Sequence, residues 1–306
     1  MRTGRSTAER GTVRGAAGKP ERGTVRGAAA RTKTPLTYGR LARRTTVVVI
    51  SLLWALPTWL LVVNALVPAA EYGGTPHWWP QGFGLFDNMS EAWTQAHLGP
   101  AMGNSLLYAV TSAGAAIVVA TTAAFATVVM PVKHKTLWFW LIYSGTLLPL
   151  QVFLRPLFLA FADTGLYDAQ FGLFLVYAAI AIPFAYFIMR NFALTLPPEV
   201  IEAARIDGAS WWRMFWQIHV PLSKSAMVAA FVFQFVAVWN DLLFGITLST
   251  SRNIRPVMAA LAELQGNYSN VGPPVVLGGA LLVSLPTVVL FFSAQRFFVS
   301  SLKLHG

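Results

Sequence analysis

The chain has 306 residues, of which 55% are hydrophobic and only 11% charged, with a mean hydropathy of +0.55; this lies far from soluble averages, excludes an ordinary water-soluble domain and fits a polytopic membrane protein. Cysteine is absent, which excludes disulfides, thiolate nucleophiles and cysteine metal sites. The net charge of +11 suggests a nucleic-acid binder until it is located: 12 of the 23 Lys and Arg residues precede residue 45, where Tyr38 is the one ring able to stack on a base.

Residues 1–44 carry Glu-Arg-Gly-Thr-Val-Arg-Gly-Ala-Ala at 9–17 and again at 21–29. With almost nothing apolar to bury, this segment is predicted to be a disordered, basic, cytoplasmic tail that reinforces the positive-inside asymmetry. Arg43 and Arg44 precede an apolar run too long for the core of a cleavable signal, so that run reads as a retained first span. Residues 45–306 then form one membrane domain. Apolar runs at 46–68, 105–130, 137–159, 171–189, 226–248 and 277–298 each approach the roughly 20 residues needed to cross about 30 Å of hydrocarbon. The predicted fold is all-α, with six transmembrane helices.

Loop charges orient these spans. Segment 69–103 has no Lys or Arg but carries Glu71, Asp87 and Glu91, so it is placed outside, with Trp78, Trp79 and Trp93 as interfacial anchors. Lys133 and Lys135 mark an inside link. Asp163 and Asp168 mark the next loop as outside, and Arg190, Arg205, Arg213 and Lys224 place the long polar loop after the fourth span inside. Arg252 and Arg255 run against the rule in an outside segment, whereas Arg296 and Lys303 agree with an inside C-terminus. Both termini are predicted to be cytoplasmic.

The loop between spans four and five, at about 195–221, is the most informative stretch. Pro197 and Pro198 suit a first helical turn, with Thr195 as a cap; the helix is predicted to end where Gly208 takes a left-handed backbone. Ser210 restarts a helix that presents Trp212, Phe215, Trp216 and His219 on one side, and Pro221 is expected to stop it. Ala203 and Ala204 leave room for a partner surface to approach, and Glu202 offers it a charge. An amphipathic connector lying at the membrane surface is the plainer reading of such a helix–bend–helix taken alone.

The frame Glu202-Ala203-Ala204, Asp207-Gly208, Ile218, Pro221 resembles the cytoplasmic coupling loop of membrane subunits of binding-protein-dependent ABC importers, specifically the shorter six-span permease of the maltose-type carbohydrate family. Further features agree in order: Asn104-Ser105-Leu106, Pro149-Leu150-Gln151, Leu196-Pro197-Pro198-Glu199, Trp239-Asn240-Asp241 and Gln295-Arg296-Phe297-Phe298-Val299. The resemblance implies a second permease subunit, a dimer of cytoplasmic ATPases holding ATP and Mg, and an extracytoplasmic sugar-binding protein, with no cofactor on this chain. Three positions depart from the pattern. Val220 replaces the usual Leu, Arg155 replaces a normally apolar residue, and the ending 300–306 is short.

No phosphate-binding Gly-rich loop, paired histidines or nucleophile–base set occurs, so ATP hydrolysis is expected on another chain and this one is not expected to be an enzyme. Polar residues inside spans suggest function because they are costly there. Gln151, Arg155, Gln234, Asn240 and Asp241 are the candidates to line a sugar path, with Tyr143, Tyr186 and Trp239 as aromatic surfaces. Hydrogen bonding between helices accounts equally well for Gln151, Gln234 and Asn240, and Asp241 and Arg155 sit far enough out to pair with partner groups or reach water. A secondary transporter of a polar solute is the alternative function, disfavoured because one conspicuous inside loop breaks the symmetry such proteins show. The identity of the sugar, and which permease of the pair holds it, stay open.

Overall fold

The computed structural model describes residues 36–266 and 271–302. Two units are distinguished, Met1–Leu53 and Trp54–Gly306. In the first, the described residues are the start of helix α1 (Leu36–Leu66), where Val47, Leu52 and Leu53 are exposed. Helix therefore covers residues 36–44, assigned above to the tail. The expected disorder of 1–35, with its repeat, lies outside the described residues, as does the ending 303–306.

The second unit continues with α2 (Leu85–Gln95), α3 (Leu98–Val128), α4 (Lys135–Tyr143), α5 (Leu154–Thr164) and α6 (Gln170–Ala193). After these come α7 (Pro198–Ile206), α8 (Trp211–Met214), a π turn (Phe215–His219), α9 (Val220–Leu222), α10 (Lys224–Trp239), α11 (Leu243–Leu248), α12 (Val257–Glu263) and α13 (Pro273–Leu302). The described residues contain no strand.

Four helices, α1, α3, α6 and α13, are each long and apolar enough to cross a membrane. The other two expected spans are not single helices. Helix α4 with its 3-10 extension and the Leu150–Thr164 segment meet at 81°, separated by Pro149, whose backbone is extended (ψ 114°). The expected fifth span is α10 and α11 with an interruption at Asn240 and Asp241. At 1.5 Å per residue, α10 spans roughly 24 Å, short of a hydrocarbon core of about 30 Å; the helix that meets it end to end is the preceding Trp211–Leu222 segment, bent from it by 70°. An apolar run reports burial, not backbone continuity. A proline is not sufficient to make a break: Pro149 stands at the first one, but Pro57, Pro183 and Pro286 all sit inside helices.

Helix α3 is the spine. It packs along α6 and α10, while α10 also meets α13, which carries α2. The α3 face that does this is a stripe of small residues, Ala109, Ala113, Ala116, Ala120 and Ala124, all buried. Small side chains let helix backbones approach closely where no hydrophobic effect drives them together. Ser112 Oγ donates to the Phe174 carbonyl at 3.3 Å, and Thr127 and Tyr186 share a 3.0 Å hydroxyl contact. At the start of α6 the loop leading into it folds close over the helix: a Cβ on Gly172 would fall on the Leu166 carbonyl.

The loops are more structured than their charge pattern suggested. Segment 69–103 contains α2, whose Asn88 Nδ2 donates to the carbonyls of Ala65 (2.9 Å) and Val67 (2.8 Å), closing the end of α1. Segment 249–274 contains α12, with Val257, Ala259, Ala260 and Leu261 buried. Trp78 and Trp79 are exposed, as anchors would be.

Candidate coupling surface and solute path

The helix–bend–helix forms where the sequence places it. Pro197, extended at ψ 126°, precedes Pro198 at the first position of α7, where a missing N–H costs nothing. Thr195 is not the cap: its hydroxyl donates backward to the Phe192 carbonyl at 2.7 Å. At the far end Gly208 has φ +72°. The Gly208 N–H donates to the Arg205 carbonyl (3.1 Å) and the Ala209 N–H to the Ala204 carbonyl (3.0 Å), the paired bonds of a Schellman ending. No atom lies within 4 Å of a Cβ placed on Gly208, so glycine is required by the backbone alone. Ser210 then caps α8, accepting from the Arg213 N–H at 3.3 Å.

Pro221 does not end the second helix, which continues to Leu222. The π turn immediately before it is the reason. A proline ring clashes with the carbonyl four residues back, and the wider turn over Phe215–His219 relieves that clash. The same turn rotates the face expected to present four residues together, so that Phe215 and His219 are buried while Trp212 and Trp216 stay exposed.

Two faces result. Inward, Ala204, Met214 and Phe215 pack on Phe125 of α3. The Phe125 ring lies 5.3 Å from Phe215, 5.1 Å from His219 and 6.5 Å from Trp211, while Ile218 packs at the edge of this cluster. Outward, Glu202, Ala203, Asp207, Gly208 and Pro221 are exposed, and Ile206 at the tip is 87% exposed. The two alanines therefore divide: Ala203 is open to a partner and Ala204 serves the inner contact. Beyond Ser223 the chain turns 70° into α10. At this turn the side chains of Thr121, His219 and Ser223 are buried without a hydrogen-bond partner among the described residues, and a cavity of about 410 Å³ opens between α3 and the second helix, beside Val220.

The candidate path residues fall into two groups. Gln234 and Trp239 are buried; Trp239, 1% exposed, donates its indole N–H to the Val283 carbonyl at 3.1 Å and stacks on Phe235. Tyr186 is likewise fully buried. Within this chain these two rings fill the core and offer no open aromatic face. Tyr143 is half-buried, stacked 5.4 Å from Phe139, over which the Arg190 guanidinium lies at 4.2 Å.

The second group sits at the two helix breaks. Asn240 is exposed at the end of α10. Asp241 is half-buried, and its Oδ2 accepts from the Tyr177 hydroxyl (2.9 Å) and the N–H groups of Phe244 and Gly245 (3.1 Å each). It thereby caps α11 and ties the break to α6. Gln151 and Arg155 are exposed one turn apart beyond the other break. Helices α5 and α11, each following a break, pack on one another.

A clasp that the sequence did not disclose holds the loop after α11. Asp168, at φ +50°, accepts from the N–H groups of Thr250 (2.8 Å) and Ser251 (2.9 Å) and from the Ser251 hydroxyl. Burial raises the Asp168 pKa, but these hydrogen bonds and the nearby Arg255 outweigh it and hold the carboxyl below its ordinary value. Tyr108 and Asn104 of α3 donate to the carbonyls of Ile254 (2.8 Å) and Arg255 (3.2 Å), and Arg255 pairs with Glu263. The partners lie more than 80 residues from Asp168 along the chain, so no local pattern announces them.

A family model described as "Binding-protein-dependent transport system inner membrane component" matches residues 27–302. The chain is similar to the osmoprotective compounds uptake permease protein GgtD of Synechocystis sp., 33% identical over 260 residues that cover 83% of this chain and 87% of that protein. It is also similar to the sn-glycerol-3-phosphate transport system permease protein UgpE of Yersinia enterocolitica (32% identity, 82% and 91% covered) and to the diacetylchitobiose uptake system permease protein NgcG of Streptomyces coelicolor (28%, 81% and 80%). Among solved structures, a bacterial ABC transporter involved in the import of the acidic polysaccharide alginate shares the fold at a TM-score of 0.69 and 18% identity, covering 85% of this chain and 96% of that one.

Proposed function

The chain belongs to the family of binding-protein-dependent transport system inner membrane components, and from that premise we propose that it is a membrane-spanning permease subunit of an ATP-driven importer of a sugar. Its partners in this reading are a second permease, two cytoplasmic ATPases that hold ATP and Mg, and an extracytoplasmic binding protein that delivers the sugar. The chain itself binds no cofactor and performs no chemistry. Carbohydrate and polyol-phosphate uptake in the names of NgcG and UgpE supports the substrate class.

The observation that carries the reading is the rigid bend at Gly208, with Glu202, Ala203 and Ile206 outward and Ala204 inward. An ATPase closing on nucleotide moves a subunit only if it pushes on something stiff. Here the outward face is the contact, and the inward face transmits through Phe125 to α3 and, across Ser223, to α10. In this reading the bend faces the cytoplasm, as Lys133, Lys135, Arg205, Arg213 and Lys224 suggest, and both termini lie on that side. The objection raised by Arg255 on the opposite side weakens, because its charge is paired with Glu263.

Co-purification with the ATPases, together with sugar uptake, tests the reading. Gly208→Val, whose branched side chain resists positive φ, is expected to leave the protein inserted and paired with the other permease but to reduce ATPase association and uptake strongly. An assembled complex carrying Gly208→Val with wild-type uptake would make the loop a passive connector.

A further inference from the structure

From the segment that follows the first helix break, we infer that Gln151 and Arg155 form an oxyanion subsite and that the transported solute carries a carboxylate or phosphate group. The inference rests on the importer reading and adds the charge class of its substrate.

The residues from Leu150 to Thr164 have two faces. Leu150, Leu154, Leu157 and Phe161, spaced at helical intervals, pack into the core. The stripe next to it, one residue on and so about 100° round the axis, is Gln151, Arg155, Phe158 and Ala162; it is exposed, as are the apolar Val152, Phe153 and Leu159 beyond it. Phe158 is braced edge-on against Tyr167 at 5.1 Å, and Tyr167 in turn meets the Thr250 hydroxyl at 2.7 Å. The stripe is thus an amide, a guanidinium, an aromatic ring and a small residue on a braced helix.

Arg155 has no ion pair or hydrogen bond among the described residues. A guanidinium with no counter-charge, on a segment apolar enough to count as part of a span, is too costly to face hydrocarbon and belongs against water or protein. Irregular backbone at membrane depth is tolerated under the same condition, where it lines a water-filled or protein-enclosed cavity, and the 81° break lies just upstream. The second break, with Asn240 exposed, is brought near by the α5–α11 contact. Two independent features therefore place this stripe on the path side. A neutral sugar needs amides and aromatic faces. A fork of five N–H donors with a fixed positive charge matches a carboxylate or phosphate in two parallel bonds, with the Gln151 amide beside it to bind hydroxyls.

The test is uptake by the full complex, reconstituted in zwitterionic-lipid vesicles with its binding protein outside. The probes are a uronic acid disaccharide, a hexose phosphate and a neutral disaccharide, each radiolabelled. Wild-type complex is expected to take up at least one anionic probe. Arg155→Leu is expected to cut that uptake tenfold or more with assembly and ATPase binding intact, and Arg155→Lys, which keeps the charge but not the fork, to restore only part of it. Uptake of the neutral probe alone, unchanged by Arg155→Leu, would overturn the anionic class while leaving the importer reading in place. A wild-type chain that neither associates with the ATPases nor supports ATP-dependent uptake of any probe would sink the importer reading itself. An Arg155→Leu defect that appears only when the vesicles contain anionic lipid would assign the guanidinium to a headgroup and equally overturn the proposal.

Discussion

The Tyr177 hydroxyl of α6 donates to Asp241 Oδ2 at 2.9 Å, at the point where the fifth span is interrupted. The same oxygen accepts the N–H groups of Phe244 and Gly245. Removing the phenol and removing the carboxylate should therefore differ in cost. Tyr177→Phe loses one hydrogen bond, worth about 1 kcal/mol, whereas Asp241→Ala also leaves two backbone donors of α11 unmet and is expected to cost about 2–3 kcal/mol. Thermal unfolding of the two variants in nanodiscs measures the difference; an Asp241→Ala protein as stable as Tyr177→Phe would remove the cap.

At Gly208 only the backbone objects to a side chain, since nothing lies within 4 Å of a Cβ there. The effect should thus follow tolerance for positive φ, not size. Gly208→Asn is expected to keep most ATPase association, and Gly208→Val to lose it, with a local conformational cost of about 1 kcal/mol or more. Val220→Leu should be silent, because Val220 borders a cavity of about 410 Å³ that can receive the extra carbon. Pull-down of the ATPases with each variant gives the order; loss with Asn equal to loss with Val would contradict it.

Two glycines on neighbouring helices make opposite predictions. Gly172→Ala drives a methyl into the Leu166 carbonyl, so the α5–α6 loop or the first turn of α6 must shift, at a cost of about 2 kcal/mol or more. Gly114→Ala, inside α3 with nothing within 4 Å, should be neutral or stabilising by roughly 0.5–1 kcal/mol. Yield of monodisperse protein and its unfolding temperature separate the pair.

The clasp at Asp168 predicts a dependence on acid. Its folded pKa is depressed, so the stability it contributes is present above the ordinary carboxylate pKa and lost as pH falls through the lower, folded value. The wild-type unfolding temperature should drop on acidification more than that of Asp168→Asn, which has no charge to lose. Because the group lies near the surface, screening keeps the difference small. Parallel melting curves at neutral pH and below pH 4 decide it; identical acid sensitivity in both proteins would deny the carboxylate this role.

Orientation is testable directly. Reporter fusions at Gln81 and Ser210 are expected to signal from opposite sides of the membrane, with Ser210 inside. Signals from one side would overturn the arrangement inferred from loop charge.

What the sequence alone determined about this protein is what depends on neighbours in the chain. The bend at 198–222 was legible because its causes are local: Pro198 opens the helix, Gly208 ends it and Ser210 starts the next, each through bonds within five residues. The number and rough position of the apolar runs were legible because length and hydropathy are themselves what a bilayer demands. Even here, the π turn before Pro221 escaped, since a run of helix formers looks alike at either pitch.

Only the tertiary structure decided where those runs break and which side chains face out. Asp241 interrupts a span because Tyr177, 64 residues earlier, holds it. Trp239 turns inward because the Val283 carbonyl, 44 residues later, receives its N–H, and Asp168 closes on Ser251 across 83 residues. The two faces of the segment around Arg155 are visible as spacing in the sequence. Which face is covered follows from the core that Leu150, Leu154, Leu157 and Phe161 join, and hydrophobic spacing cannot specify that partner because every core offers the same apolar surface.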